Sequence, residues 1–485
     1  MDTSNAFEDI SEIDETSFPY IFEKNVSIPL VTTPGLVRVN VYKPRGLHKF
    51  PVILTYGPYG KDISYKDWKL PSWNEINPEH KSAHSAWETP DPGYWTKHGY
   101  AVVRVDERGT NQSPGILDTM SRSISDAFVE VVEWAARQEW SNGKVGLLGV
   151  SYYAGSQWRV AARQPKGLAA IIPWEGMSDF YRDRCRQGGI LSNVFIDFWW
   201  VKVGRNQYGK PGKGGEGTLT DEELAQNCRD QTQDNRTNQF RNQEYYASKE
   251  YDLKDVKVPL LSVGNWGGIV LHLRGNIQGF MQAGSELKYL RTVTGRHDLL
   301  FYSPEGVEIQ RSFLHAFLKG EDRVGWSVKG KLPPVDLVLR KGDVGFNNPD
   351  AERQYPRRQE NEWPIARTQY TKFYLTSDRL RKVNLESSKH LPYLPARDYF
   401  STDVQPVIPG DIYAVDVEVL PTNVIIDKGG KLVFEVASGD TQGAGYHFHH
   451  DDPNDRSEAK FAGMNHINFG PKFSNYVVLP IIPPK

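Results

Sequence analysis

The sequence predicts an α/β fold, because strand, helix, strand, helix and strand follow one another between residues 101 and 175, the pattern of a parallel sheet covered by helices. Two changes of character mark the rest. From 178 to 255 the alternation gives way to the aromatic patch FIDFWW and the polar run NCRDQTQDNRTNQFRNQEYY, which reads as a helical insertion over the sheet. Beyond residue 335, short spaced strands separated by Gly, Pro and Asp turns predict a β-sandwich of the jelly-roll type. The expected organisation is an α/β domain in two parts, 1–177 and 256–325, with a helical cap over 178–255 and a jelly-roll domain over 335–485.

The elements follow in order. LVRVNVYKP and FPVILTYGPYG alternate apolar runs with turns and read as strands. AVVRVD is a short apolar run ended by charge, which suits a strand buried on both faces. In ISDAFVEVVEWAARQ, residues Ile124, Phe128, Val131, Val132 and Ala135 share one helical face. VGLLGV is the next strand, the residues after Ser151 a helix, and GLAAIIPWEG another strand. After the cap, VPLLSVGNWGG and YLRTVTGRHD resume the buried-strand pattern, and EIQRSFLHAFLKG is an amphipathic helix. In the tail, PVDLVLR, TKFYLTS, YAVDVEV, LVFEVAS and NYVVLPI are the expected strands.

Composition narrows the class of function. With 485 residues the chain is long enough for several domains and a sizeable core. Its 58 basic and 60 acidic side chains nearly cancel, and no run of Lys and Arg with interleaved aromatics offers a phosphate-tracking surface, so nucleic acid is not an expected partner. No apolar run has the length of a membrane span, and MDTSNAFEDISEIDE has neither a basic start nor an apolar core. The expectation is a cytoplasmic protein whose two cysteines, Cys185 and Cys228, are reduced. Aromatic residues make up 12% of the chain, which suits a pocket for bulky organic substrates and equally suits an aromatic core.

VGLLGVSYYAG carries the chemistry. A serine on a sharp strand-to-helix turn, flanked by glycines in G-x-S-x-G, projects its hydroxyl above the sheet. Gly149 fits this elbow, whereas Tyr153 stands at the second glycine position. Chain order adds to the signal, because an α/β-hydrolase places its serine after one strand and its histidine after the last, with an acid between. His297 lies just past the last sheet strand. A serine hydroxyl is a poor nucleophile until an imidazole takes its proton, so Ser151 is the candidate nucleophile and His297 the candidate general base.

Several segments together resemble the cocaine-esterase-like (CocE/NonD) serine hydrolases, relatives of the X-Pro dipeptidyl-peptidases, from about residue 25 to the C-terminus. GPYGK, with Tyr59, is similar to the family's Pro-Tyr-x-Lys segment, and DERGTNQSPG to its Asp-x-Arg-Gly block. WSNGKVGLLGVSYYAGSQW resembles its nucleophile elbow, in which a tyrosine follows the serine, and SDFYRD the opening of its cap. The β-rich tail ending in LPIIP resembles its jelly roll. The resemblance implies an α/β-hydrolase fold, with Ser151 as nucleophile, His297 as base, and an oxyanion hole of the Tyr59 hydroxyl and the Tyr152 backbone N–H.

The acid departs from the family pattern. Gly267, in GNWGG, stands where the family's aspartate is expected. Glu175, directly after AAIIPW, is the candidate replacement, with Asp179, Asn265 or no acid as alternatives. HFHHDDP, residues 447–453, reads as a polar loop rather than a metal site, and no nucleotide-binding motif is present, so neither metal nor organic cofactor is expected. The expected activity is cleavage of an ester or lactone of a bulky small-molecule metabolite, as in secondary metabolism, through an acyl-enzyme. An X-Pro-type aminopeptidase and a non-hydrolytic lyase, cyclase or acyltransferase stay open. The expected partner is the small-molecule substrate, with no membrane; a homodimer is compatible with the sequence.

Overall fold

A computed structural model of the protein describes residues 7–210, 213, 220–267, 270–342, 344–345, 348–375, 380–383, 397–440 and 455–484. The valine-rich runs singled out above become the centre of one sheet, because side chains that are apolar on both faces are stable only where helices cover both. Its strands are β1 (Glu12–Asp14), β2 (Ile21–Pro29), β3 (Leu36–Lys43), β4 (Phe50–Gly57), β5 (Ala101–Asp106), β6 (Ser141–Val150) and β7 (Leu168–Trp174). A hairpin in the cap supplies β8 (Arg186–Gln187) and β9 (Ile190–Leu191). The main sheet continues with β10 (Leu260–Asn265), β11 (Lys288–Val293), β12 (Val335–Val338) and β13 (Arg357–Glu360). Among the described residues its order is β1-β2-β3-β5-β4-β6-β7-β10-β11-β12-β13. Pairing is parallel from β5 to β12 and antiparallel at both edges.

The amphipathic stretch near residue 124 forms helix α1 (Arg122–Arg137), capped by the Ser121 side chain, which accepts from the Ile124 amide. Its Phe128, Val131 and Val132 pack on Val52, Leu54, Val103 and Leu147 at one face of the sheet. Each such fully buried side chain contributes about 1.5–3 kcal/mol. Helix α2 (Tyr152–Ala162) covers the same face, while Phe313 and Leu314 of a later helix (Pro304–Leu314) cover the other.

The segment expected as a cap contains, among its described residues, the π-helical turn Phe180–Cys185, the β8/β9 hairpin, helix α3 (Asn193–Val203) and shorter helices up to Glu244–Ala247. Its aromatic patch packs down on the loop ends of the sheet, with Trp199 and Trp200 in one buried cluster with Tyr59, Tyr152 and Tyr153. Among the described residues, no helix is long and apolar enough to cross a membrane.

The tail differs from the expectation in two ways. PVDLVLR, read as the first strand of the jelly roll, instead forms β12 and pairs with β11 in the main sheet, Leu290 opposite Val335. Val335 and Leu337 are buried there against Trp266 and Phe280, and an alternating pattern does not say which sheet a strand joins. TKFYLTS and NYVVLPI supply β14 (Gln369–Leu375) and β16 (Tyr476–Ile481), which pair directly, with β15 (Leu380–Val383) on the other edge of β14, a three-stranded sheet among the described residues. YAVDVEV and the described LVFEVAS form no ladder; Val415, Val417 and Val433 are exposed, and an alternating segment becomes a strand only when a neighbour takes up its backbone groups. HFHHDDP lies outside the described residues.

Helix α4 (Val270–Gln282) crosses the start of the cap, with contact at Gly275. A Cβ there would lie 2.3 Å from the Ser178 amide nitrogen and 2.5 Å from Met177 Cα, so only glycine permits the crossing. Gly275→Ala is expected to cost about 1–3 kcal/mol, as overpacking against fixed backbone does, read as a lowered denaturant midpoint.

Candidate active site

The elbow forms because strand β6 ends at Val150 and helix α2 begins at Tyr152, leaving Ser151 to make the turn alone. Its φ of 61° and ψ of −115° lie outside the ordinary regions for a residue with a side chain. Such strain, of order 1–3 kcal/mol, persists only where surrounding bonds enforce it. Here the Val150 amide donates to the Glu88 carbonyl at 3.1 Å, and the Ser151 amide to the Trp174 and Glu175 carbonyls at 3.2 and 3.1 Å. Tyr153 replaces the usual second glycine because room is left elsewhere. A Cβ on Gly57 would meet its ring at 2.6 Å, and one on Gly149 would meet its Cβ at 2.5 Å.

The imidazole at the serine is His272, whose Nε2 is 3.0 Å from Ser151 Oγ. The sequence reading missed it. His272 sits in the first turn of α4, and that helix is pinned to the end of β7 by Asn276. The Asn276 side chain donates to the Pro173 carbonyl and accepts from the Gly176 amide, each at 2.9 Å. The available signal was the pair His272 and Asn276, four residues apart and so on one helix face after the GNWGG turn. His272 is buried, which holds its ring well below the usual imidazole range; the neighbouring charge of His297 and then Arg184 act in the same direction. It is therefore neutral at pH 7.

His297 makes no hydrogen bond to Ser151. Its Nδ1 is 2.6 Å from Glu175 Oε2, and its Nε2 is 3.0 Å from Glu88 Oε1. The Glu175 carboxylate thus reaches His297, whereas the other two candidate acids do not. Asn265 donates to Glu175 Oε1 at 3.0 Å and accepts from the Gly267 amide at 2.9 Å, so it supports the carboxylate and not the ring. Asp179 caps the Arg182 amide at 2.8 Å and lies 3.9 Å from Arg241 in the cap. Glu88, also missed, is buried beneath the elbow with φ of 60°, and Glu175 has φ of 48°.

Burial opposes charge on His297, but Glu175 and then Glu88 outweigh it and push its pKa up to about 10. Burial raises the Glu88 carboxyl in turn, against the pull of His297. The two shifts compete for one proton between Nε2 and Oε1. We place it on the imidazole, because Glu175 at Nδ1 favours the cationic ring. The rings of His297 and His272 stack with centroids 5.2 Å apart and 6° between planes.

A group whose folded pKa is raised binds its proton more tightly in the folded state, so its contribution is complete below about pH 6.5 and is lost as pH rises toward 10. The melting temperature is therefore expected to fall between pH 7 and pH 10, and to fall less steeply in His297→Asn. Parallel curves for the two proteins would contradict the ion-paired assignment.

Tyr59 lies beside the elbow. Burial, and then the charge of Glu88, raise its phenol, so it stays protonated. Its oxygen accepts from Trp199 Nε1 at 3.0 Å, and Ser151 is among the side chains that hydrogen-bond it. The Tyr152 amide opens helix α2 and has no intrahelical acceptor. The Tyr152 side chain turns away, donating from its hydroxyl to Glu107 Oε1 at 3.0 Å.

The family described as X-Pro dipeptidyl-peptidase (S15 family) matches residues 35–297, more than half of the chain, and its C-terminal non-catalytic domain matches 380–478. The chain is 30% identical over 186 residues to the cocaine esterase of Rhodococcus sp. strain MB1 Bresler, a stretch covering 38% of this chain and 29% of that protein. It is 23% identical over 206 residues to the Xaa-Pro dipeptidyl-peptidase of Streptococcus pneumoniae strain 70585, covering 33% and 27%. The matched stretches thus span less than a third of these relatives' length. A CocE/NonD family hydrolase from Staphylococcus aureus superposes with a TM-score of 0.62 at 30% identity, over 74% of this chain and 59% of that one. With its strained serine elbow inside the matched region, the chain belongs to the X-Pro dipeptidyl-peptidase (S15) family of hydrolases, which includes esterases and peptidases.

Proposed function

We propose that the protein is a serine carboxylic-ester hydrolase that cleaves an ester or lactone of a bulky small molecule through an acyl-enzyme on Ser151. The observation that carries this reading is the strained Ser151 with its Oγ 3.0 Å from the neutral His272 Nε2. Ser151 Oγ attacks the acyl carbon while His272 Nε2 receives its proton. The developing oxyanion meets the Tyr59 hydroxyl and the Tyr152 amide, and one such donor is worth on the order of 3 kcal/mol. The protonated His272 then passes its proton to the leaving alkoxide. Water repeats the sequence to release the acid.

In this reading His297 and Glu175 stand one layer behind the serine, as positioning residues. His297 stacks on His272; its own positive charge opposes a second one on that ring, and the Glu175 and Glu88 carboxylates that flank His297 offset this opposition as His272 becomes cationic in the transition state. One observation favours a second reading, an X-Pro-type peptidase. Glu88 Oε2 is buried with no hydrogen-bond partner among the described residues, and an acidic oxygen is what a substrate's free amine requires.

Fluorophosphonate labelling, followed by a panel of aryl esters, lactones and X-Pro amides, tests both. Labelling at Ser151 with turnover of esters is the expected result. Preferential turnover of X-Pro amides would transfer the assignment to the peptidase. Absence of both labelling and turnover would overturn the serine mechanism.

A further inference from the structure

Trp199 of the cap packs against Tyr59 beside the elbow, and a row of aromatic rings continues from Tyr59 to Trp68 and Trp87 with cations along it. The Tyr59 ring meets Trp68 edge-on at 5.8 Å, and Trp68 lies 6.4 Å from Trp87. Both tryptophans are only partly buried. Lys202 Nζ lies 5.7 Å from the Trp68 ring centre and 4.3 Å from that of Phe198. Arg205 Cζ is 5.7 Å from Trp68, and Lys69 Nζ is 4.8 Å from Trp87. Three cations from two segments thus converge on two adjacent rings.

Their charge is poorly compensated. Lys69 has Asp298 at 3.3 Å, but Asp298 is shared with Arg296 at 3.8 Å. Lys202 and Arg205 pair with no carboxylate among the described residues; the nearest acidic residue on α3, Asp197, is taken by Arg236 at 2.9 Å. Burial, followed by repulsion from Lys69 and Arg205, lowers the Lys202 pKa, which agrees with the closeness of the three groups. Like charges gathered without counter-charge are unfavourable, and the rings they flank recover only a part of that cost. An anion arriving between them would relieve the repulsion.

We infer that the substrate carries an acidic group on the side remote from the reacting ester, held by Lys202 and Arg205 over Trp68. This rests on the serine-esterase reading, which sets the scissile bond at Ser151 beside Tyr59. Trp68 lies 5.8 Å from the Tyr59 ring and 5.7 Å from Lys202 Nζ, which bounds the span from Tyr59 to that cation and limits the spacer between ester and acid to an aromatic or short aliphatic one. A cluster of cations also raises the local concentration of an anionic substrate, an effect that falls with ionic strength.

Matched probes test it in both halves of the ester. One pair is the mono-4-nitrophenyl ester of a linear dicarboxylic acid against the 4-nitrophenyl ester of the corresponding monoacid. The other is an acetate ester of a hydroxyaryl carboxylic acid against that of its methyl ester. In at least one pair, the acidic probe is expected to exceed its neutral partner in kcat/KM by about tenfold or more at low salt, with the ratio falling as salt is added. The ratio should drop toward one in Lys202→Ala with Arg205→Ala, and invert in Lys202→Glu.

A binding measurement separates this inference from the catalytic reading. Ser151→Ala protein should bind the non-hydrolysable amide of the acidic probe more tightly than its neutral partner, with the same salt dependence. Turnover of the neutral esters with no preference for the acidic ones, in either pair, overturns the inference and leaves the esterase reading intact. Absence of turnover and labelling, with retained preferential binding of the acid, has the converse meaning. Equal binding of acid and neutral amides overturns the inference whatever the turnover.

Discussion

Ser151→Ala is expected to abolish ester turnover and fluorophosphonate labelling while leaving the fold in place. The side chain removed is one oxygen, and its replacement can occupy the same turn, because the φ of 61° is enforced by backbone bonds to Trp174, Glu175 and Glu88 and not by the hydroxyl. The hydroxyl hydrogen-bonds the His272 ring at 3.0 Å and the Tyr59 side chain, and at about 1 kcal/mol for each such bond the stability change should be within about 2 kcal/mol. Loss of a nucleophile in the serine-hydrolase template costs on the order of 10⁶-fold in kcat. The measurement is kcat alongside a melting curve. Turnover within tenfold of the parent would remove Ser151 from the chemistry.

The second large effect is expected at His272. If this ring takes the serine proton, His272→Ala should lower kcat by about 10⁴-fold or more. KM should change little, because the ring makes its contribution in the transition state. Added imidazole should restore part of the rate, since the deletion leaves a cavity beside Ser151 Oγ. His297→Asn discriminates between the two rings. It removes the stacked, ion-paired neighbour but leaves the 3.0 Å contact between Ser151 and His272, so its effect on kcat should be smaller and imidazole should not rescue it. The opposite ranking, with His297→Asn the more damaging and His272→Ala mild, would make His297 the base and require its Nε2 to leave Glu88 during the reaction.

Much of the architecture follows from local pattern. AVVRVD and AAIIPW carry apolar residues on both faces and become β5 and β7, buried in the parallel sheet, and the face of Ile124, Phe128 and Val131 becomes the inner side of α1. These are short-range consequences of period and burial, and a single chain displays them. The elbow is equally local: a strand ending at Val150 and a helix opening at Tyr152 leave Ser151 only one place to stand. The contact of Glu175 with His297 was legible for the same reason, since Glu175 directly follows a neighbouring strand, β7, on the same edge of the sheet.

The tertiary structure decided which groups meet. Ser151 and His272 are 121 positions apart, and Glu88 and His297 are 209 apart. Nothing periodic in the sequence announces either pair. The place of His272 beside Ser151 was hidden because it depends on where α4 crosses the cap, which Gly275 and Asn276 determine through contacts with Ser178 and Pro173. Glu88 was hidden in a loop whose course depends on the elbow it supports. The tail shows the same limit from the other side: alternation made PVDLVLR a strand, but burial of Val335 and Leu337 against Trp266 and Phe280 chose its sheet. Period is a property of neighbours in the chain, whereas the partner of a strand or a proton is chosen by free energy gained in space.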